Sequence, residues 1–253
     1  MLHGSGNPRF RDDDGSADPA AAAALSAFAA AQGSEHATLT ALARTRLLVP
    51  VVAVLSDDDA GQSGPASGGE KNPAAGGDKN PAAGGEKNSE MAMPTLLGRD
   101  GRAAIPVFTG LDALTRWQPS ARPVPAEATQ VWQAAVQDSC AVIIDVAGPV
   151  PLAVEGARLA ALAQGQPVPM PYEDPDVHEV VAALVARAAD GAEPASFTLR
   201  PAPGDGDLLI ELAPPAGMDP PAAQAFASQV GSAVLEHLGH RLRRGIALAL
   251  AQP

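Results

Sequence analysis

The sequence predicts an α+β protein, with an N-terminal α/β sandwich domain followed by a second, smaller α+β domain. Three features support this fold class. Short aliphatic runs rich in valine and isoleucine alternate with stretches of helical periodicity. An Asp-Gly pair separates two apolar runs, as in a β-hairpin. A proline-rich stretch at 167–175 divides the chain of 253 residues, which is long enough for two small domains.

Charge and composition exclude several classes of protein. The 29 acidic and 17 basic residues give a net charge of −12, which argues against nucleic-acid binding and favours cationic or neutral partners. No apolar run reaches the length of a membrane span, so we expect no membrane contact. Cys140 is the single cysteine, which rules out a disulfide scaffold and agrees with a reducing compartment. The alanine-rich and arginine-rich composition is typical of a high-GC bacterial genome, and we expect a cytoplasmic protein.

The first elements are two helices and a buried strand. Asp18 and Pro19 are typical N-cap and N1 residues, so a helix is expected from there to about residue 31. A second short helix is expected over 36–44. The aliphatic run at 47–55 predicts a strand buried on both faces, with Pro50 at an edge or bulge. The residues before 37 form an N-terminal extension, disordered and then helical.

An eight-residue repeat follows at 57–88. The units GGEKNPAA and GGDKNPAA are followed by a partial GGEKN. Glycine, asparagine and proline oppose both helix and strand, and no aliphatic or aromatic side chain larger than that of alanine is present to fill a core. We interpret 57–88 as a disordered loop inserted in the first domain, expanded by tandem duplication. A recognition tether is the alternative.

A hairpin and a helix come next. The runs 91–97 and 102–108 flank the turn at Asp100-Gly101 and predict two paired strands. A helix is expected over 111–117, followed by a proline-rich connector at 120–125.

The first domain then continues with a helix over 126–138 and a buried strand over 140–146. A short strand at 151–154 and a helix at 155–163 complete it. We place this domain at 37–166.

The second domain, at 167–253, begins with the proline-rich linker. Its predicted order is helix, strand, strand, helix, strand, which indicates a small α+β sandwich. The predicted elements are 176–189, 196–200, 207–213, 220–238 and 246–250.

Two motifs in the hairpin region resemble the SseB N-terminal domain family. The first is a "Lys, two residues, Glu-Met" entry into a strand, and the second is a "Gly-x-Asp-Gly … Pro-x-Phe-Thr" hairpin. The residues that carry them are Lys87, Glu90, Met91, Gly98, Asp100, Gly101, Pro106, Phe108 and Thr109. The resemblance covers roughly 39–165, and the second half is similar, though less closely, to the C-terminal half that such proteins often carry. It implies an α/β domain and supplies no catalytic residue or cofactor; family members usually have a shorter loop at the position of the repeat.

The sequence offers no catalytic, cofactor or metal constellation. His237 and His240 are three residues apart near a helix end, without an obvious third ligand, and we interpret them as favourable at the negative end of a helix dipole. Cys140 opens an aliphatic strand, so we expect a buried, inert thiol. Neither a nucleophile elbow nor a phosphate-binding glycine motif is present. We therefore predict no catalytic residue, no cofactor and no metal.

Two groups of charged residues are candidates for contact with a partner or ligand. Glu90 precedes a strand, and Arg99, Asp100 and Arg102 crowd the hairpin turn.

Asp145 lies near the C-terminal end of a buried strand, where ligands of parallel α/β sheets tend to bind. Together with Glu155 and Arg158 it is a candidate to line a shallow site. A solvated turn and a surface helix are the alternative interpretation of these three residues.

Three hypotheses on function follow. The first is a non-catalytic cytoplasmic interaction module with an unknown protein partner, which uses the hairpin turn. The second is a small-ligand sensor or enzyme with a site near Asp145, Glu155 and Arg158. The third is a structural protein that forms a homo-oligomer through its two halves.

Overall fold

The fold is described by a computed structural model, which covers residues 10–55, 89–98, 101–189 and 195–251. The repeat loop predicted at 57–88 lies outside the described residues, as do Arg99 and Asp100. Within these ranges the chain is α+β, as predicted. The helices are α1 (Pro19–Ala29), α2 (Glu35–Leu42), α3 (Leu111–Trp117), α4 (Ala128–Gln137), α5 (Gly156–Ala163), α6 (Pro175–Ala188) and α7 (Pro220–Leu238). The strands are β1 (Arg46–Leu55), β2 (Ser89–Ala92), β3 (Leu96–Leu97), β4 (Ala103–Val107), β5 (Arg122–Glu127), β6 (Ala141–Ile144), β7 (Leu152–Val154), β8 (Ser196–Arg200), β9 (Leu208–Ala213) and β10 (Ile246–Leu250).

Side-chain caps determine where four of the helices begin. The carboxylate of Asp18 accepts hydrogen bonds from backbone N–H groups of the first turn of α1. Ser34, Asp174 and Asp219 do the same for α2, α6 and α7. These caps satisfy donors that have no partner inside the helix. The predicted start of α1 is confirmed, whereas α6 begins one residue before the predicted position, because Asp174 is the cap.

The first sheet has the order β2-β1-β5, with β1 antiparallel to both neighbours. The expected connector at 120–125 was wrong, because most of it belongs to strand β5. Pro50 of β1 stands opposite Pro123 of β5. Since β5 is an edge of the sheet, its proline residues are tolerated there.

The predicted strand at 91–97 is divided in two around Pro94. Its first part, β2, pairs with β1, and its last two residues, β3, pair with β4. The pairing of the residues on either side of the predicted turn is confirmed, since the Gly98 N–H donates to the Arg102 carbonyl at 2.8 Å and Leu97 pairs with Ala103. The predicted hairpin is therefore short, and the segment 89–97 passes from one sheet to another.

The second sheet has the order β3-β4-β6-β7, in which β4 and β6 are parallel. An isolated bridge between Leu48 and Phe108 connects it with the first sheet. The apolar core of the N-terminal half contains the fully buried Trp132 and Leu39, together with Phe28 of α1. The helix of the N-terminal extension is thus part of this core.

The C-terminal half contains its own core. Its sheet has the order β10-β9-β8, and α6 and α7 pack on one face of it. The predicted order of elements from 176 to 250 is confirmed. Strand β10 is parallel to β9, since α7 crosses over between them.

A cluster of four buried charged side chains connects the two halves of the chain. Glu35 and Arg158 come from the N-terminal half, and Asp174 and Arg241 from the C-terminal half; each is at most 6% exposed. Arg158 forms an ion pair with Glu35, and Arg241 bridges Glu35 and Asp174. Two positive charges and two negative charges therefore neutralise each other away from water. We call these four residues the ion cluster.

Two further contacts lie beside the ion cluster. The Asp176 carboxylate accepts a hydrogen bond of 2.9 Å from the Ala157 N–H at the start of α5. Gly156 is required there, because a Cβ would lie 2.0 Å from a carboxylate oxygen of Asp176. Arg243 donates to the Phe28 carbonyl at 2.8 Å and lies over the ring of the same residue.

Truncation of the ion cluster should destabilise the protein strongly. In Arg241→Ala the carboxylates of Glu35 and Asp174 lose a buried partner, a change that typically costs about 3–5 kcal/mol. Urea unfolding monitored by circular dichroism measures the loss. Arg200→Ala is the matched control, because it removes an exposed pair with Glu211, typically worth about 1 kcal/mol or less. Equal losses in the two variants would contradict a stabilising ion cluster.

Candidate functional site

Asp145 lies at the carboxyl edge of the parallel strands β4 and β6. Thr109 follows β4, and its N–H and hydroxyl donate to the two carboxylate oxygens of Asp145 at 2.9 and 2.7 Å. The backbone of Asp145 has φ of 49°, in the left-handed region that is unusual for a residue other than glycine. The carboxylate thus stabilises the loops that follow both strands.

The Asp145 carboxyl group has a perturbed acidity. Burial raises its pKa, because an ionised carboxylate is poorly solvated there, and the hydrogen bonds from Thr109 oppose that rise. The group borders a cleft of about 260 Å³ between α1 and the loop after β6. The cleft is lined mainly by apolar side chains such as Leu25, Ala29 and Val150.

The other residues predicted with Asp145 lie in different environments. Glu155 and Arg158 are not among the residues that line the cleft. Glu155 forms an ion pair with Arg102 across 2.5 Å, and both side chains are exposed. Arg158 belongs to the ion cluster, where burial lowers its pKa and the nearby Glu35 opposes that effect. The structure therefore joins Glu155 to the hairpin residue Arg102 and joins Arg158 to the C-terminal half.

Of the four candidates near the hairpin, the structure describes Glu90 and Arg102, whereas Arg99 and Asp100 lie outside the described residues. Glu90 is in β2, opposite Val54 of β1. Arg102 directly precedes β4. Arg102 and the start of α5, next to Glu155, are thus neighbours, which the sequence did not indicate.

Sequence reasoning missed an exposed apolar surface beside the turn. Met91 is 48% exposed, Met93 47% and Leu97 76%. We call these three residues the β2–β3 surface. Pro94 was the available signal, because a proline inside an apolar run argues against one continuous buried strand.

Cys140 was expected to be buried, and the structure shows it half-buried in the turn before β6. Its Sγ lies 3.3 Å from the Asp138 carbonyl. The strand begins one residue later, at Ala141, so the side chain of Cys140 is outside the sheet.

The described ranges contain neither a metal-binding cluster nor a membrane-spanning helix. There, no three His, Cys, Asp or Glu side chains lie close enough together to hold a metal ion. The Nδ1–H of His237 donates a hydrogen bond of 2.9 Å to the Ala233 carbonyl of its own helix. None of the described helices combines the length and the apolar character needed to cross a bilayer.

The raised pKa of Asp145 predicts a pH dependence of stability. The native state holds this proton more tightly than the unfolded chain, whose aspartate pKa is about 3.9. The contribution to stability is therefore present at low pH and lost as the pH rises through the folded pKa. Relative to Asp145→Asn, which cannot titrate, the wild type should lose free energy of unfolding as the pH rises above the unfolded-state pKa of about 3.9. Parallel urea titrations of both proteins measure this difference, and a difference that grows with pH would contradict the raised pKa.

Comparison with known families identifies the N-terminal half. The model of the SseB protein N-terminal domain matches residues 22–161, more than half of the chain. The match begins inside α1, earlier than the sequence resemblance indicated. This agrees with the packing of α1 in the apolar core of the N-terminal half. The similarity of the second half stays a prediction. Comparison with curated proteins and with solved structures found no match. The chain belongs to the SseB family.

Proposed function

We propose that this SseB-family protein is a non-catalytic interaction module that captures a protein partner at its β2–β3 surface. The exposure of three large apolar side chains within seven residues carries the proposal. Exposed apolar groups that cluster on a folded domain mark interaction sites, because their burial against a partner releases ordered water.

The position of this surface on two sheet edges supports a partner that binds as an extended strand. β2 is the end strand of the first sheet, and β3 is the end strand of the second. An end strand offers unpaired backbone groups to an incoming segment, which gives affinity, while side-chain pockets give specificity. Ala53, the Cα partner of Met91, is also exposed and extends the apolar surface onto β1.

The chemistry of the side chains supports the same partner. Methionine is unbranched and polarizable, so Met91 and Met93 can adapt to the shape of a partner without strain. Arg102 and its ion partner Glu155 lie beside the end of β3, where charged groups form the rim of an interface. In this proposal most of the affinity comes from the β2–β3 surface. Selectivity for the partner comes from the charged residues of the turn, Arg99, Asp100 and Arg102.

We also propose a cytoplasmic location for this interaction. The single cysteine and the acidic net charge of −12 agree with a protein that works in a reducing, aqueous compartment.

Substitution of the β2–β3 surface should abolish partner binding without unfolding the domain. The variant carries Met91→Ser, Met93→Ser and Leu97→Ser, and Val136→Ser is the matched control, because Val136 is an equally exposed apolar residue, 47%, on α4. The partner is identified by affinity capture and mass spectrometry, and its binding to each purified variant is then measured by calorimetry. We expect the surface variant to bind at least about tenfold more weakly, equivalent to about 1.4 kcal/mol, and Val136→Ser to bind like the wild type.

Three outcomes decide this proposal. Equal affinities of the surface variant and of Val136→Ser would overturn it. Loss of binding in Arg99→Ala, Asp100→Ala and Arg102→Ala combined, with an unchanged melting temperature, would support the role of the turn. Unchanged binding in that triple variant would remove the turn from the interface.

A second candidate function is a small-ligand sensor with its site in the Asp145 cleft. The observation that favours it is a carboxyl group with a raised pKa at the edge of a cleft where parallel strands end. A thermal-shift screen of small cationic and neutral metabolites against the wild type and Asp145→Asn tests it. A compound that stabilises the wild type alone would support the sensor. A compound that stabilises both proteins equally, or the absence of any stabilising compound, would count against the cleft.

A further inference from the structure

Strand β10 forms an end of the sheet in the C-terminal half. It pairs with β9 on one side, and no described strand pairs with its other side. The Ala251 N–H donates to the Leu212 carbonyl of β9 at 2.8 Å. Because alternate residues of a strand point their backbone groups to opposite sides, the N–H and C=O groups of Leu248 and Leu250 point away from β9. The open side thus presents a ladder of backbone donors and acceptors.

The two ends of this sheet differ in their chemistry. At the other end, β8 exposes Ser196, Thr198 and Arg200, and Arg200 forms an ion pair with Glu211. Natural proteins protect end strands with polar and charged side chains of this kind. The sequence of β10 is Ile-Ala-Leu-Ala-Leu, which contains no polar side chain. β10 therefore lacks the protection that β8 has.

Apolar side chains of β10 remain exposed on the face of the sheet against which α7 packs. Leu248 and Leu250 are each 37% exposed, although their Cα partners Ile210 and Leu212 in β9 are fully buried. Leu248 contacts α7 at Gly231, where a Cβ would lie 2.4 Å from its methyl group.

One turn after Gly231 on the same side of α7, Leu235 is 46% exposed. We call β10 and Leu235 the β10 surface. It comprises exposed apolar side chains of a strand and of the helix that packs on it, and nothing in the described part of the chain covers them.

The distribution of charged residues near the β10 surface bears on which partner can cover it. The 19 residues of α7 contain Glu236 and His237 in the last turn, and the residues before them carry no ionisable group. Since each copy of the chain carries a net charge of −12, two copies repel each other over most of their surface. They can approach more closely at β10, because the strand itself carries no charge and Glu211, the Cα partner of Ala249 in β9, is already paired with Arg200. A second copy also brings an identical uncharged strand, so an apolar strand meets an apolar strand across the two-fold axis.

We propose that two copies of the chain associate through the β10 surface. Their β10 strands pair antiparallel about a two-fold axis, which joins two three-stranded sheets into one of six strands. The pairing satisfies the outward backbone groups of Leu248 and Leu250 and buries the exposed leucines together with Leu235. This interface lies in the C-terminal half and does not depend on the partner proposed for the β2–β3 surface.

Sedimentation velocity of the full chain tests the proposal. Across about 1–100 µM protein, a range that resolves dimers of moderate affinity, the wild type should change from a 25.5 kDa species to one of twice that mass. Leu250→Lys adds a charge to the open end and should remain monomeric. Thr198→Lys places the same charge on the β8 end and should dimerise like the wild type.

A second variant separates strand pairing from a general loss of apolar contact. Leu250→Pro removes an N–H that points away from β9 and blocks the new ladder without adding charge, so it should also be monomeric. Higher salt should strengthen the wild-type dimer, because it screens the repulsion between two acidic copies. A wild type that is monomeric at every concentration would overturn the proposal, as would a dimer that Leu250→Lys and Leu250→Pro both leave unchanged. Far-UV circular dichroism with a melting curve confirms that each variant is folded.

Discussion

The arrangement of the two halves depends on the ion cluster. Buried charges are tolerated only when each has a partner, because the low dielectric of the interior penalises an unpaired charge heavily. Glu35 therefore needs both Arg158 of its own half and Arg241 of the other. Asp174 contributes to the cluster and also caps α6, so the start of that helix is determined by the same contact. The halves have separate apolar cores but meet at a surface whose geometry the charges define.

This arrangement leaves the proposed contact surfaces on different halves of the molecule. The β2–β3 surface belongs to the SseB N-terminal domain, and the β10 surface belongs to the C-terminal half. A dimer through β10 would present two β2–β3 surfaces at once, so a partner with two extended segments would bind with increased avidity. Two of the charged residues predicted to line a ligand site have structural roles. Arg158 neutralises Glu35, which also contacts Arg241 of the other half, and Asp145 stabilises the loops after β4 and β6.

Prolines and alternating apolar residues explain which strands could be predicted. Strands β8, β9 and β10 follow their sequence patterns closely, since none is interrupted by proline. The segments around Pro94 and Pro123 were misassigned for opposite reasons. Pro94 ended a strand that was expected to continue, and Pro123 lies within a strand that was expected to be a connector. Proline permits either outcome at the end of a sheet, and only the neighbouring strands decide between them.

By itself, the sequence determined the class of the fold, most of the helices and the family. Those properties depend on local periodicity, capping residues and a short motif, all of which act within a few residues. Only the tertiary structure decided that Arg158 is buried, that α1 belongs to the core of the N-terminal half and that the apolar side chains of β10 are exposed. Each of these depends on residues far apart in the chain, such as Glu35 and Arg241, and a charged or apolar side chain has the same sequence signature whether or not a distant element covers it.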